Sequence, residues 1–182
     1  MHESPAGIAQ SAEGDARLVA TVKQAASRGG VKWRETNYLL LRRGPYVLAS
    51  GLDESVAGEP KTLQGQFVNL FDAELRVQKT VSLLPGTRLF LIDLEAAQKE
   101  QAQVLASACK ALPTRQDAHS LALAVEGVVN TPAVLLLRAP AAPQSVTLAG
   151  QPLGALKYAA EERLLWIRFP NETKPRELVI QF

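Results

Sequence analysis

Ser145 to Phe169 reads SVTLAGQPLGALKYAAEERLLWIRF, and this stretch decides the fold. Ser145–Ala149 alternates apolar and polar residues, Gly150–Pro152 turns, and Ala155–Tyr158 alternates again. Ala160–Glu162 then turns, and Arg163–Phe169 alternates a third time. Short alternating runs punctuated by Gly, Pro and charged residues predict three antiparallel strands in a meander.

The same grammar extends outward in both directions. Downstream, Pro170–Lys174 turns and Arg176–Phe182 makes a closing strand. Upstream, Pro132–Arg138 (PAVLLLR) is a continuous apolar run, suited to a strand buried on both faces, and Leu121–Val129 is a strand broken near Gly127. Thr36–Arg43 and Pro45–Leu52 flank a turn at Gly44-Pro45, and Gly65–Phe71, Leu75–Leu84 and Thr87–Leu94 follow. Lys79 falls on the inward side of its run, which places that strand near a sheet edge. Glu95–Gln103 is rich in helix formers, and Val104–Leu112 either continues that helix or turns into a strand. Residues 1–15 read as a flexible arm, and Arg17–Lys23 alternates like a strand, although its alanines leave a helix open. The expectation is an all-β chain: an arm over 1–15 and one domain over 16–182. That domain is a two-sheet antiparallel β-sandwich, jelly-roll or Ig-like, with at most one or two short helices.

Composition excludes several functions. The chain has 182 residues, 47% hydrophobic and 21% charged, with a formal net charge of +2. Such a balance gives no reason to expect a nucleic-acid partner, and Arg42-Arg43 reads as a solvated strand end. No run approaches the ~18 apolar residues of a membrane-spanning helix, and the first fifteen residues lack the pattern of a signal peptide. The one cysteine, Cys109, cannot make an internal disulfide and reads as a buried structural thiol. There is no phosphate loop and no paired C-x-x-C. His2 and His119 are too few for an ordinary zinc site, so no metal or cofactor is expected. Asn171-Glu172-Thr173 matches the N-glycosylation acceptor pattern and supports an exposed turn.

Three readings of function remain. Trp33, embedded in charge, with Tyr38, Tyr46 and the loop Asp53–Glu59 (Asp53, Glu54, Glu59), could form a platform on which sugars stack. Against this, all three rings could pack between the sheets. An enzyme of glycosidase type would need two converging acids, for which Asp53, Glu54, Asp72 and Asp93 are the candidates. A structural protein could oligomerise through an edge strand such as Arg176–Phe182.

Two segments carry a resemblance. Leu41–Ala49, LRRGPYVLA, resembles a strand with an R-G-P-L/Y-V pattern in β-sandwich domains appended to bacterial glycoside hydrolases, such as the β-L-arabinofuranosidase-like family. Val146–Phe169 is similar to the terminal sandwich strands of many glycosidases. In those enzymes the catalytic residues lie in a separate domain. The resemblance therefore implies a non-catalytic accessory domain, whose partners would be carbohydrate or an associated enzyme domain. It also implies a bacterial, extracytoplasmic setting, periplasmic or secreted.

Overall fold

The computed structural model describes residues 4–53, 56–97 and 101–182, and these form two compact units. The first runs to Asn37 and takes in residues 56–58. It contains α1 (Pro5–Ile8) and α2 (Ala12–Arg28). The strand expected at Arg17–Lys23 is therefore helix, as is much of what read as a loose arm. Ser11 caps α2 by accepting a hydrogen bond from the Gly14 N–H at 3.1 Å. Glu13 and Asp15 sit in its first turn and Arg28 in its last, the charge order that suits the helix dipole. Leu18, Ala20 and Val22 satisfy a strand's alternation, but the alanine-rich run around them favours helix.

The second unit, Tyr38–Asp53 with Glu59–Phe182, holds the sandwich. Its strands are β1 (Tyr38–Arg43), β2 (Tyr46–Gly51), β3 (Lys61–Asn69), β4 (Val77–Leu83), β5 (Arg88–Asp93), β6 (Gln103–Ser107) and β7 (Lys110–Gln116). They continue with β8 (Ser120–Glu126), β9 (Pro132–Arg138), β10 (Ser145–Leu148), β11 (Gln151–Pro152), β12 (Leu156–Ala159), β13 (Leu164–Pro170) and β14 (Arg176–Gln181). All pairings are antiparallel, as the sandwich expectation requires, and they make three sheets. Sheet I has the order β1-β2-β5-β3-β4, sheet II β11-β10-β14-β8-β7, and sheet III β12-β13-β9-β6.

Sheet III is the middle layer, and β9 shows why. Ala133, Leu135 and Leu137 point into the core shared with sheet II, among Leu121, Leu123, Ile167 and Ile180. Val134 and Leu136 point the other way, into a core shared with Val68 and Ile92 of sheet I. A strand apolar on both faces is stable only when both faces are covered, so the run PAVLLLR dictates a layer on each side. Strand β13 repeats this: Leu165 and Ile167 face sheet II, while Leu164 and Trp166 face sheet I. Sheet I has its own core on its far face, built from Val47, Ala49, Leu63, Phe67, Val81, Leu83 and Leu91. Here Gly51 is required by close approach: a Cβ on it would lie 2.0 Å from the Leu84 carbonyl oxygen.

Several local expectations are corrected. The meander is not one: β10 and β11 belong to sheet II, while β12 and β13 form a hairpin in sheet III. The chain changes layer over Leu153–Ala155, where alternating sequence cannot report which sheet a strand joins. Of the helix-rich stretch Glu95–Gln103, residues 98–100 lie outside the described residues; Glu95–Ala97 is a turn, because the Asp93 carboxylate accepts from the N–H groups of Glu95 and Ala96. Val104–Leu112 divides between two strands, β6 in sheet III and β7 in sheet II. Asn171 is not on an exposed turn. It is 4% exposed, and its amide donates to the Thr131 hydroxyl. Strand β14 is not an edge, because β10 and β8 flank it. Lys79 does sit on an edge strand, β4.

Candidate functional site

The register of sheet I predicts an exposed apolar surface. Tyr46 pairs with Ile92, Leu48 with Phe90 and Leu41 with Leu48, so these side chains share one face of the sheet. Near β3 and β5, sheet III covers that face through Val68 and Ile92. Toward β2 and β1 nothing among the described residues of this unit covers it. Leu39, Leu41, Leu48 and Tyr46 are all exposed there.

Where the cover ends, a cleft of about 570 Å³ opens. Tyr46 and Phe90 form one wall with Phe71, and Leu105, Ala106 and Ser107 of β6 with Val134 of β9 form the other. The three rings make a row: Tyr46 and Phe90 have centroids 5.7 Å apart, and Phe90 and Phe71 6.3 Å apart. Phe71 is the outermost, 70% exposed.

A network of short-range bonds holds Phe71 out in solvent. Its N–H donates to the Asn69 side-chain oxygen at 3.1 Å. Asp72 accepts from the Glu74 N–H and from the Arg76 guanidinium, the latter at 2.8 Å. Glu74 pairs with Arg168 of β13 at 2.7 Å, and the Leu75 carbonyl accepts from the Trp166 indole at 3.2 Å. Leu75 takes the left-handed backbone conformation that closes this turn (φ 48°). A large apolar ring fixed in water forgoes about 1.5–3 kcal/mol of burial, and such a ring on a rigid turn is a mark of a binding surface.

Arg76, then the Glu74 N–H, holds the Asp72 carboxyl down at about 2. A depressed carboxylate contributes stability that is in full force above its unfolded value of about 4 and is lost as pH falls through about 2. Asp72→Asn should therefore lower the urea midpoint at neutral pH. The gap from the parent should hold down to about pH 5 and close toward pH 2. Because Arg76 is largely exposed, added salt should shrink that gap as well. Urea titrations of both proteins across pH and salt check this; a gap that persists unchanged at pH 2 contradicts it.

Of the residues singled out in the sequence, the candidate acid Asp72 and Tyr46 line the cleft. Tyr38 is on the same hairpin but faces the opposite side, against the far core of sheet I, with Lys61 over its ring at 5.9 Å. Arg43 pairs with Tyr46 and lies five residues from Tyr38, which separates the two tyrosines along the hairpin by ~16 Å. Trp33 belongs to the first unit. Its indole N–H donates to Glu35 at 2.7 Å, and Lys23 lies 5.8 Å from its ring and also pairs with Glu35. Lys23 first, then Trp33, pulls the Glu35 carboxyl below its usual range. Asp53 is exposed in the bend after β2, Glu59 is exposed before β3, and Glu54 lies outside the described residues.

The described candidate acids do not converge. Asp93 pairs with Arg42 at 2.8 Å and caps the turn after β5, on the face of sheet I away from the cleft. Asp72 is occupied by Arg76. Cys109 is half-buried, and burial raises its thiol pKa, the opposite of nucleophile activation.

Phe71 and Phe90 are the site residues that sequence reasoning missed. The available signal was an apolar ring placed directly before the turn residues Asp72-Ala73-Glu74, a position that burial does not favour.

No protein family matches the chain. No curated protein matches it either. Among solved structures it is similar to a Flavobacterium johnsoniae GH31 dextranase complexed with isomaltotriose, with a TM-score of 0.34 and 10% identity over 90% of this chain and 31% of that one. The same dextranase complexed with glucose gives a TM-score of 0.31 and 10% identity, over 76% and 26%. This chain spans less than a third of the length of either.

Proposed function

We propose that this chain is a non-catalytic accessory domain that binds carbohydrate in the cleft of Tyr46, Phe90 and Phe71. The observation that carries the reading is the row of three rings, with its outermost member standing in solvent on a braced turn. A sugar ring has an apolar C–H face and a polar edge. The cleft matches this with an aromatic and aliphatic floor and a rim bearing Asp72 and Ser107. Of the acids that an enzyme would need, Asp72 and Asp93 are engaged with arginines and backbone N–H groups, and the Asp72 carboxyl is held down rather than pushed upward as a general acid requires. The resemblance of Leu41–Ala49 and Val146–Phe169 to glycosidase-appended sandwiches points the same way.

Affinity electrophoresis against soluble α-glucans, β-glucans and arabinans tests this. The parent chain should be retarded by at least one of them, and Phe71→Ala should weaken that retardation about tenfold or more, roughly 1.4 kcal/mol. Phe71→Tyr should keep it. Because Phe71 is exposed, the urea midpoint of Phe71→Ala should stay within about 0.5 kcal/mol of the parent. A parent retarded by no glycan, or a variant retarded equally, removes the proposal.

A further inference from the structure

The face of sheet I left open beside the cleft is charged as well as apolar, and its charge has one sign. Ser50 pairs with Arg88, and Arg43 pairs with Tyr46, so both arginines share the face that carries Tyr46, Leu48 and Phe90. Alternation along β1, β2 and β5 places no aspartate or glutamate there. Asp93 and its partner Arg42 fall on the opposite face.

Arg88 is placed to meet a ligand. It lines a hollow of about 530 Å³ with Leu48, Ser50 and Phe71, and Phe71 also lines the cleft, so that ring joins the two. Every other residue lining the hollow is uncharged. The nearby turn is balanced, since Arg76 pairs with Asp72 and Arg168 with Glu74. Arg88 is exposed and makes no ion pair among the described residues. A planar guanidinium offers parallel N–H donors that match a carboxylate at two points, and apolar neighbours such as Phe71 and Leu48 strengthen such a bond by lowering the local dielectric.

We propose that the site prefers acidic polysaccharides, with a uronate ring stacked at Phe71 and its carboxylate held by Arg88. The inference rests on the carbohydrate reading of the cleft and narrows it. A neutral glycan gains the stacking and leaves Arg88 in water. A uronate gains both contacts, from a guanidinium that has no resident acid to displace. Arg43, at the other end of the face beside Tyr46, extends the positive potential along the row of rings, which favours a polyanion over a single acidic sugar.

Titration calorimetry of the full chain with fragments of polygalacturonate and of alginate, each also as its methyl ester, tests this. At least one acid form should bind about tenfold more tightly than its ester. Arg88→Gln should bring that acid form down to the level of the ester and leave the ester unchanged. Arg88→Lys should fall between, because an ammonium cannot make the two-point bond. Arg115→Gln removes the same charge from exposed β7 of sheet II and should leave both forms unchanged. These variants alter exposed side chains, so their urea midpoints should match the parent's. Acid and ester forms that bind alike in both polymers overturn the proposal, as does an Arg115→Gln protein weakened as much as Arg88→Gln. So does a parent that binds neither polymer yet is retarded by a neutral glycan. Phe71→Ala keeps the two readings apart: if it weakens acid and ester alike while Arg88→Gln alters neither, the carbohydrate site stands and the uronate preference falls.

Discussion

Replacing Arg138 by alanine is expected to cost about 3–5 kcal/mol, the largest effect of any polar substitution in the sandwich. Arg138 ends β9 and is only 4% exposed. One arm of its guanidinium donates to the Leu94 carbonyl just beyond β5, the other to the Glu162 carbonyl in the turn before β13, each at 2.6 Å. It thus ties sheet I to sheet III. Burial, followed by the charge of Arg163, lowers its pKa, so the site holds a cation at some desolvation cost. Alanine would remove two charge-assisted bonds, leave the buried Leu94 carbonyl unpaired and open a void. Arg138→Met would refill the volume but not the bonds, and Arg138→Lys would keep the charge but could not span both carbonyls. Both should fall between parent and alanine in urea midpoint. A loss below about 1 kcal/mol for Arg138→Ala would mean that its two carbonyl bonds contribute little to holding the two sheets together.

Trp166→Ala should cost a similar amount, about 3–5 kcal/mol, with a different signature. Trp166 sits in the core between sheets I and III, 7% exposed, with Lys157 lying 5.2 Å from its ring. Alanine leaves a cavity in that core. Trp166→Phe separates packing from hydrogen bonding. It keeps most of the volume but leaves the Leu75 carbonyl without its donor, for about 1–3 kcal/mol. Leu75 belongs to the turn that carries Phe71, so on the proposed function Trp166→Phe should also weaken glycan retardation, although Trp166 does not line the cleft. Urea unfolding followed by circular dichroism, with retardation measured on the same samples, tests both parts. A Trp166→Phe protein with parental stability and retardation would show that the turn is braced by Asp72 and Glu74 without the indole.

Particular residues show how far the sequence could be read. The run Pro132–Arg138 announces a strand buried on both faces, and the LLWIRF run marks Trp166 as core, because an apolar side chain on each face of a strand has only one stable environment. Lys79 marks an edge by the same logic. What alternation cannot encode is the sheet a strand joins. β10 and β12 look alike in sequence yet lie in different layers, and β14, which reads as a free end, is flanked on both sides. The site failed for a related reason. Tyr38 and Tyr46 are close in sequence, but register sends them to opposite faces. Phe71 and Phe90 come together only through the sheet I pairing and a turn whose bonds reach to β13.

The position of β14 bears on how the molecule is made. It completes sheet II from the inside, between β8 and β10, yet it is synthesised after all the other described strands. Until it emerges, two apolar strands expose inner borders with no neighbour, on a nascent polypeptide whose pairings are mostly distant in sequence. Folding of this kind is slow, and those open borders stay available for self-association until the last strand slots in.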